Sequence, residues 1–231
     1  MFSNVFLAQS RGELGEFSPK RLAYMALHFS AYGAGLSNIP HKLPKGSILL
    51  LDDSTPPSGH DPQAVVAQLK ELARRFEATA ILLDFQRGES PETYEMAKAI
   101  IPALDCPVAV TEFYAKKFGC PVFLSPCPVN KPLKSYLQPW LKNGIYLEIA
   151  PEQLEITITE NGSHTRSVPP TEKAFSRFNR KLHCHYGVEV FKDKAVFSLQ
   201  RDQSDLADLA KEAYELGVKA VVGLYQELYS L

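Results

Sequence analysis

The sequence has no long apolar run, no paired-cysteine motif and no basic stripe, and each absence removes a class of protein. Its longest apolar stretches, SILLLDD and KAVVGLY, fall far short of the ~20 residues a membrane-spanning helix needs, so no membrane partner is expected. The opening MFSNVFLAQSRGELGEF lacks a positive leader and a long apolar core before Arg11. It does not read as a signal peptide, and a cytoplasmic location is the expectation. Cys106, Cys120, Cys127 and Cys184 form no C-x-x-C pair and read as free buried thiols in a reducing compartment. The 25 basic and 26 acidic side chains are spread through the chain, for a net charge of -1. With no cluster to gather phosphates, nucleic acid is excluded as a partner. No tandem repeat or low-complexity tract is present, and nothing specifies an oligomer or calls for a cofactor.

What is there is an ordinary globular balance, 45% hydrophobic and 22% charged residues over 231 positions, enough for one core without disulfides or a structural metal. Short apolar runs alternate with amphipathic stretches, the signature of a parallel sheet wrapped by helices. NVFLAQ (4–9), SILLLDD (47–53), TAILLDFQ (79–86), CPVAVTEF (106–113), CPVFLSP (120–126), GIYLEIA (144–150) and KAVVGLY (219–225) read as strands. Ser18-Pro19 opens a helix through RLAYMAL; the following HFSAY reads equally as its last turn or as a short strand. Asp61-Pro62 and Ser90-Pro91 open two further helices, LKSYLQPWLKN is a weak one, and QSDLADLAKEAYELG is strongly periodic. Only AKKFG separates two strands, so that βα unit is truncated. LEITITEN, the Asn161-Gly162 turn and SHTRSV form a hairpin, and a second antiparallel pair turns around Asp193. The fold class is therefore α/β, a TIM (β/α)8-type barrel with degenerate βα units. It fills 1–231 as a single domain, with a small antiparallel insert over about 151–200, before the last strand.

This element order, with the C-terminal stretch KLHCHYGVEVFKDKAVFSLQRDQSDLADLAKEAYELGVKAVVGLYQEL, resembles the family 18 glycoside hydrolases, the chitinases, which carry an insert between barrel strands seven and eight. Their fourth strand bears the signature D-x-x-D-x-D-x-E. Laid on TAILLDFQ, its acidic positions fall on Thr79, Leu82, Asp84 and Gln86, with Phe85 at the aromatic place, and only Asp84 matches. The family's tyrosine–aspartate pair on strand six is absent; CPVFLSPCP stands there, with Ser125 the nearest polar side chain. The family's terminal Trp, a floor for a sugar ring, corresponds to Gln226 or, shifted by one, to Tyr225.

The resemblance implies that Gln86 stands where the family has its proton donor. A glycosidic oxygen leaves poorly unless an acid protonates it, and the family's substrate supplies the nucleophile from its own N-acetyl group. An amide has no acidic proton, and a positioned general acid contributes roughly 10²–10⁴-fold. The expectation is a chitinase-like barrel that binds a carbohydrate or similar polar small molecule, without hydrolysis, through Asp84, Gln86, Asp52, Glu112, Glu148, Tyr225 and Gln226. Two alternatives stand beside it: an active glycosidase using relocated carboxylates, Glu112 or Glu148, and a non-catalytic scaffold for protein contacts. Acids at strand ends face the C-terminal mouth of such barrels, although a polar residue closing a strand is also simply its solvated end. His183 and His185, two apart on an expected strand, have the spacing of metal ligands; solvated insert histidines explain them better. His28, His41, His60 and His164 sit at no convincing strand end. GVKAVVG resembles the last strand of phosphate-binding barrels, but FSLQRD supplies no glycine-rich turn before it.

Overall fold

The structure, a computed structural model, describes residues 4–14, 19–169 and 175–228. Ser18, the expected helix cap, lies outside them. Eight parallel strands close into a ring: β1 (Val5–Gln9), β2 (Leu22–Phe29), β4 (Ile48–Asp52), β5 (Ala80–Asp84), β6 (Val108–Thr111), β7 (Val122–Leu124), β8 (Ile145–Glu148) and β14 (Ala220–Leu224). Closure comes from β1, which pairs in parallel with both β14 and β2. A two-residue β3 (Leu36–Ser37) lies antiparallel beside β2. Alternation along each strand divides the core. Leu49, Leu51, Ile81, Leu83, Val108 and Val110 face the surrounding helices. Phe6, Ile48, Leu50, Leu82, Phe123 and Tyr146 fill the ring from within. Strands buried on both faces read as continuous apolar runs for this reason.

The outer layer is α1 (Pro62–Phe76), α2 (Pro91–Ile100), α3 (Glu112–Phe118), α4 (Leu133–Leu137), α5 (Gln203–Glu215) and α6 (Tyr225–Leu228). Asp61 caps α1 by accepting from the Gln63 N–H, and Ser90 caps α2 through the Thr93 N–H. The truncated unit is α3, seven residues long and stopped by Gly119 at φ +62°.

Three expectations are corrected. RLAYMAL is no helix: Leu22–Phe29 is the second barrel strand, with Leu22, Ala23 and Tyr24 at most 1% exposed. Pairing on both edges, with β1 and β4, overrides a composition rich in helix formers. Glu112 does not end a strand; β6 stops at Thr111 and Glu112 opens α3. Tyr225 and Gln226 do not lie on the last strand, which stops at Leu224 and turns into α6.

The insert is a five-stranded antiparallel sheet, ordered β10-β9-β13-β12-β11: β9 (Glu152–Thr159), β10 (Gly162–Val168), β11 (Arg177–Asn179), β12 (Cys184–Val190) and β13 (Lys194–Arg201). Its base packs Leu154, Cys184 and Leu199 on Val129, in the connection from β7 to α4. Arg201, 1% exposed, ties the same junction. Its guanidinium donates to the carbonyls of Cys127 at 2.6 Å, Leu182 at 2.8 Å and His183 at 3.2 Å. The Glu152 carboxylate, 4.0 Å from Arg201, accepts the Val129 N–H at 2.7 Å. The four cysteines are free thiols, three of them buried.

A buried planar fork serving three carbonyls cannot be replaced by an ammonium. Arg201→Lys is expected to lower the unfolding free energy by about 2–4 kcal/mol. Removing the exposed Arg166–Glu155 pair by Arg166→Ala should cost under ~1 kcal/mol. Urea denaturation of the two variants measures both; equal losses would contradict the assignment of Arg201 as the anchor.

Candidate functional site

The C-terminal ends of the barrel strands gather carboxyl groups. Along β4 and β5 the inward positions run Ile48, Leu50, Asp52 and Ala80, Leu82, Asp84, because residues two apart share a face. Asp52 and Asp84 are Cα partners in register, so the two side chains stand at one level on adjacent strands. On β8, Glu148 follows the inward Tyr146 by two residues and enters the same mouth. A bulge in β2 between Tyr24 and Leu27 resets that strand's facing. Leu27 and Phe29 then pack outward and His28, in register with Asp52, turns to the mouth.

These groups are half-buried over an apolar plug, and their charges have little to offset them. Burial raises the Asp84 carboxyl, as do Asp52 and Asp53, against a lowering by the Gln86 hydrogen bond. Burial, then Asp84 and Glu227, lifts Glu148 to about 7. Burial also raises Glu227, whose Oε2 is shielded from solvent without a hydrogen-bond partner among the described residues. Glu227 reaches the site because α6 folds tightly over β14. A side chain at Gly223 would stand 2.7 Å from the Ile149 carbonyl and closer still to Leu228.

Gln86 sits on the rim, exposed, and its Nε2 donates to Asp84 Oδ1 at 2.7 Å. The segment carrying it is held from three sides. Asp53, 2% exposed, accepts the backbone N–H groups of Gln86 at 2.9 Å and Arg87 at 3.2 Å. Thr111 donates to the Phe85 carbonyl at 2.9 Å, and Tyr114 to that of Gly88 at 3.2 Å. Beside Gln86 lies a cleft of about 390 Å³ bounded by Thr111, Glu112, Phe123 and Ser125.

The expected residues thus divide. Asp52, Asp84, Gln86 and Glu148 meet at the mouth. Glu112 is exposed and lines the cleft beside Gln86. Tyr225 packs into the outer core, and Gln226 is exposed on α6. His28 and Glu227 lie outside the expected set: with RLAYMAL read as a helix no strand end falls at His28, and no motif marks Glu227. His183 precedes β12 at φ +48°, so it does not share a strand face with His185. The two instead bind α5, His183 to Glu212 and His185 to Asp205 at 3.2 Å. His185, Asp202 and Asp205 offer donor atoms within 4.8 Å of one another, but both carboxylates are engaged in capping α5. Among the described residues no helix is long and apolar enough to cross a membrane.

Raising Glu148 has a consequence for stability. The folded protein holds that proton more tightly than an unfolded chain, whose carboxyl titrates near its ordinary 4.5. The stabilisation is complete below that value and is lost as pH rises through about 7. Between pH 5 and 8 the wild type should therefore lose about 2–3 kcal/mol more than Glu148→Gln. Urea unfolding at both pH values checks this; parallel losses would contradict it.

No protein-family model and no curated protein matches the chain. Solved structures do. A family 18 chitinase variant from Cycas revoluta, in complex with (GlcNAc)4, aligns over 96% of this chain and 94% of its own, with TM-score 0.53 and 12% identity. A family 18 N-acetylglucosaminidase from Paenibacillus barengoltzii aligns over 95% and 94%, at 0.52 and 10%. A chitinase from Chromobacterium violaceum aligns over 98% and 95%, at 0.52 and 9%. The fold is that of the family 18 chitinases: a closed parallel barrel with an antiparallel insert before its last strand.

Proposed function

We propose that the barrel mouth binds an oligomer of N-acetylated amino sugars and holds it without cleaving it at position 86. One observation carries the reading. Gln86, at the end of the fourth barrel strand, donates its amide to Asp84 at 2.7 Å, an arrangement that keeps a polar pair over the mouth but offers no acidic proton. An amide and a carboxylate together donate to and accept from sugar hydroxyls and an acetamide. The apolar plug of Leu50, Leu82 and Phe123 beneath them strengthens each such hydrogen bond by lowering the local dielectric. The fold's likeness to a chitinase holding (GlcNAc)4 supports the ligand class.

One observation favours a second reading. Glu148, lifted to about 7, is partly protonated at neutral pH and can serve as a general acid. The barrel would then be a glycoside hydrolase with its acid moved to the seventh strand.

Melting curves and reducing-sugar release with chitotetraose separate the two. Under the binding reading the melting temperature rises with ligand, Asp84→Ala weakens binding by roughly tenfold or more, and no reducing ends accumulate. Turnover that Glu148→Gln abolishes, Glu112→Gln spares, and that falls above about pH 7 would install the second reading instead. Neither a melting shift nor turnover would sink both.

A further inference from the structure

The insert sheet leaves one of its two faces only partly covered. Strand residues two apart share a face, and pairing aligns them in rows across the sheet. At the base of this face Leu154, Leu199 and Tyr186 form one row, and the buried Leu154 and Leu199 pack on Val129 of the barrel. The next row on the same face is Thr165, Ile156, Phe197 and Val188, and the last is Ser163, Ile158, Ala195 and Val190. Away from the barrel the apolar character continues while the cover does not. Val190 is 79% exposed, Ile158 44% and Val188 37%, against 8% and 9% for Leu154 and Leu199. The opposite face places Glu155, Thr157, Ser198 and Glu189 at the alternate positions. That is the alternation of a sheet with one side meant for burial. Phe175 does not supply the cover: it lies against the opposite face, where a side chain at Gly187 would stand 2.6 Å from its ring.

Charge, shape and area together specify the missing cover. The two outer rows hold no charged residue, so a second copy of the face meets no like charge and buries no unpaired one. Ile156, Ile158 and Phe197 fill the two central strands, with valines on the β12 flank and small hydroxyl residues on the β10 flank. A two-fold axis running roughly along the strands lays β12 of one copy over β10 of the other. Val188 and Val190 then meet Ser163 and Thr165, large against small. Two such faces remove on the order of 1,000 Å² from water, the lower end of what specific association needs. A lipid surface fits less well. The turns at the same end of the sheet carry Glu160 and Asp193, which would enter the bilayer with the valines at a cost in solvation.

We propose that this face is a self-association surface, through which two copies of the chain pack insert to insert as a weak, concentration-dependent dimer. The pairing does not depend on what the barrel mouth binds.

Sedimentation equilibrium of the full chain from about 5 to 500 µM tests it, with Val190→Lys, Ile158→Lys and the barrel-surface control Tyr32→Lys. All three side chains are exposed, and the two insert variants lie on different strands, so one remains informative if the other is poorly folded. The expected result is a weight-average mass that climbs toward that of two chains in the wild type and in Tyr32→Lys alike. Each folded insert variant should raise the dissociation constant at least tenfold. A wild type that stays monomeric throughout, or a dimer that the insert variants leave intact, would overturn the proposal. So would a monomer that binds phosphatidylcholine–phosphatidylserine vesicles and loses that binding in Val190→Lys, which would assign the face to lipid.

Discussion

Because β1 hydrogen-bonds to β2 on one side and β14 on the other, the eight strands have no free edge, and every second residue is committed to the interior. Lower down, that interior is filled by Phe6, Leu50, Leu82, Phe123 and Tyr146. At the strand ends the same alternation delivers Asp52, Asp84 and Glu148 to a single opening, and the bulge in β2 adds His28. Carboxyl groups set over an apolar plug lose water without gaining a counter-charge, and the raised Asp84, Glu148 and Glu227 follow from that placement. The electrostatics of the mouth are thus a result of closure rather than of any one residue pair.

Much of this arrangement was legible in the chain. Strands such as SILLLDD and TAILLDFQ are apolar on both faces, the Asp61 and Ser90 caps stand directly before prolines, and the Asn161-Gly162 turn marks the insert. Asp52 and Asp84 could be placed at strand ends because β4 and β5 are regular. The errors came where tertiary pairing overrules local pattern. RLAYMAL is composed like a helix, and only its two strand neighbours make it a strand, so His28 could not be seen at the mouth. The Asp52–Asp53 pair shows the same limit: one carboxylate faces the mouth and the other, buried, clamps the backbone of Gln86 and Arg87, a distinction that depends on strand facing and loop path together. Glu227 enters through the tight fold of α6 over Gly223, which no periodicity announces.

The chain shares the chitinase architecture, and its rim carries an amide at position 86. Asp53, Thr111 and Tyr114 fix the segment that carries Gln86, so the amide is presented in a defined place and not on a loose loop. That placement supports recognition of a polar ligand. Burial, with Asp84 and Glu227 beside it, lifts the Glu148 carboxyl to about 7. The insert is anchored by Arg201 and by the contacts of His183 and His185 with α5.

The central claim, that the Asp84–Gln86 pair contacts a bound amino-sugar chain without breaking it, is tested most directly by the side-chain amide resonance of Gln86 during titration with chitotetraose. The account predicts a saturable shift of that signal, with the oligosaccharide intact afterwards. An unmoved resonance at millimolar ligand, or chitobiose accumulating in the sample, would contradict it.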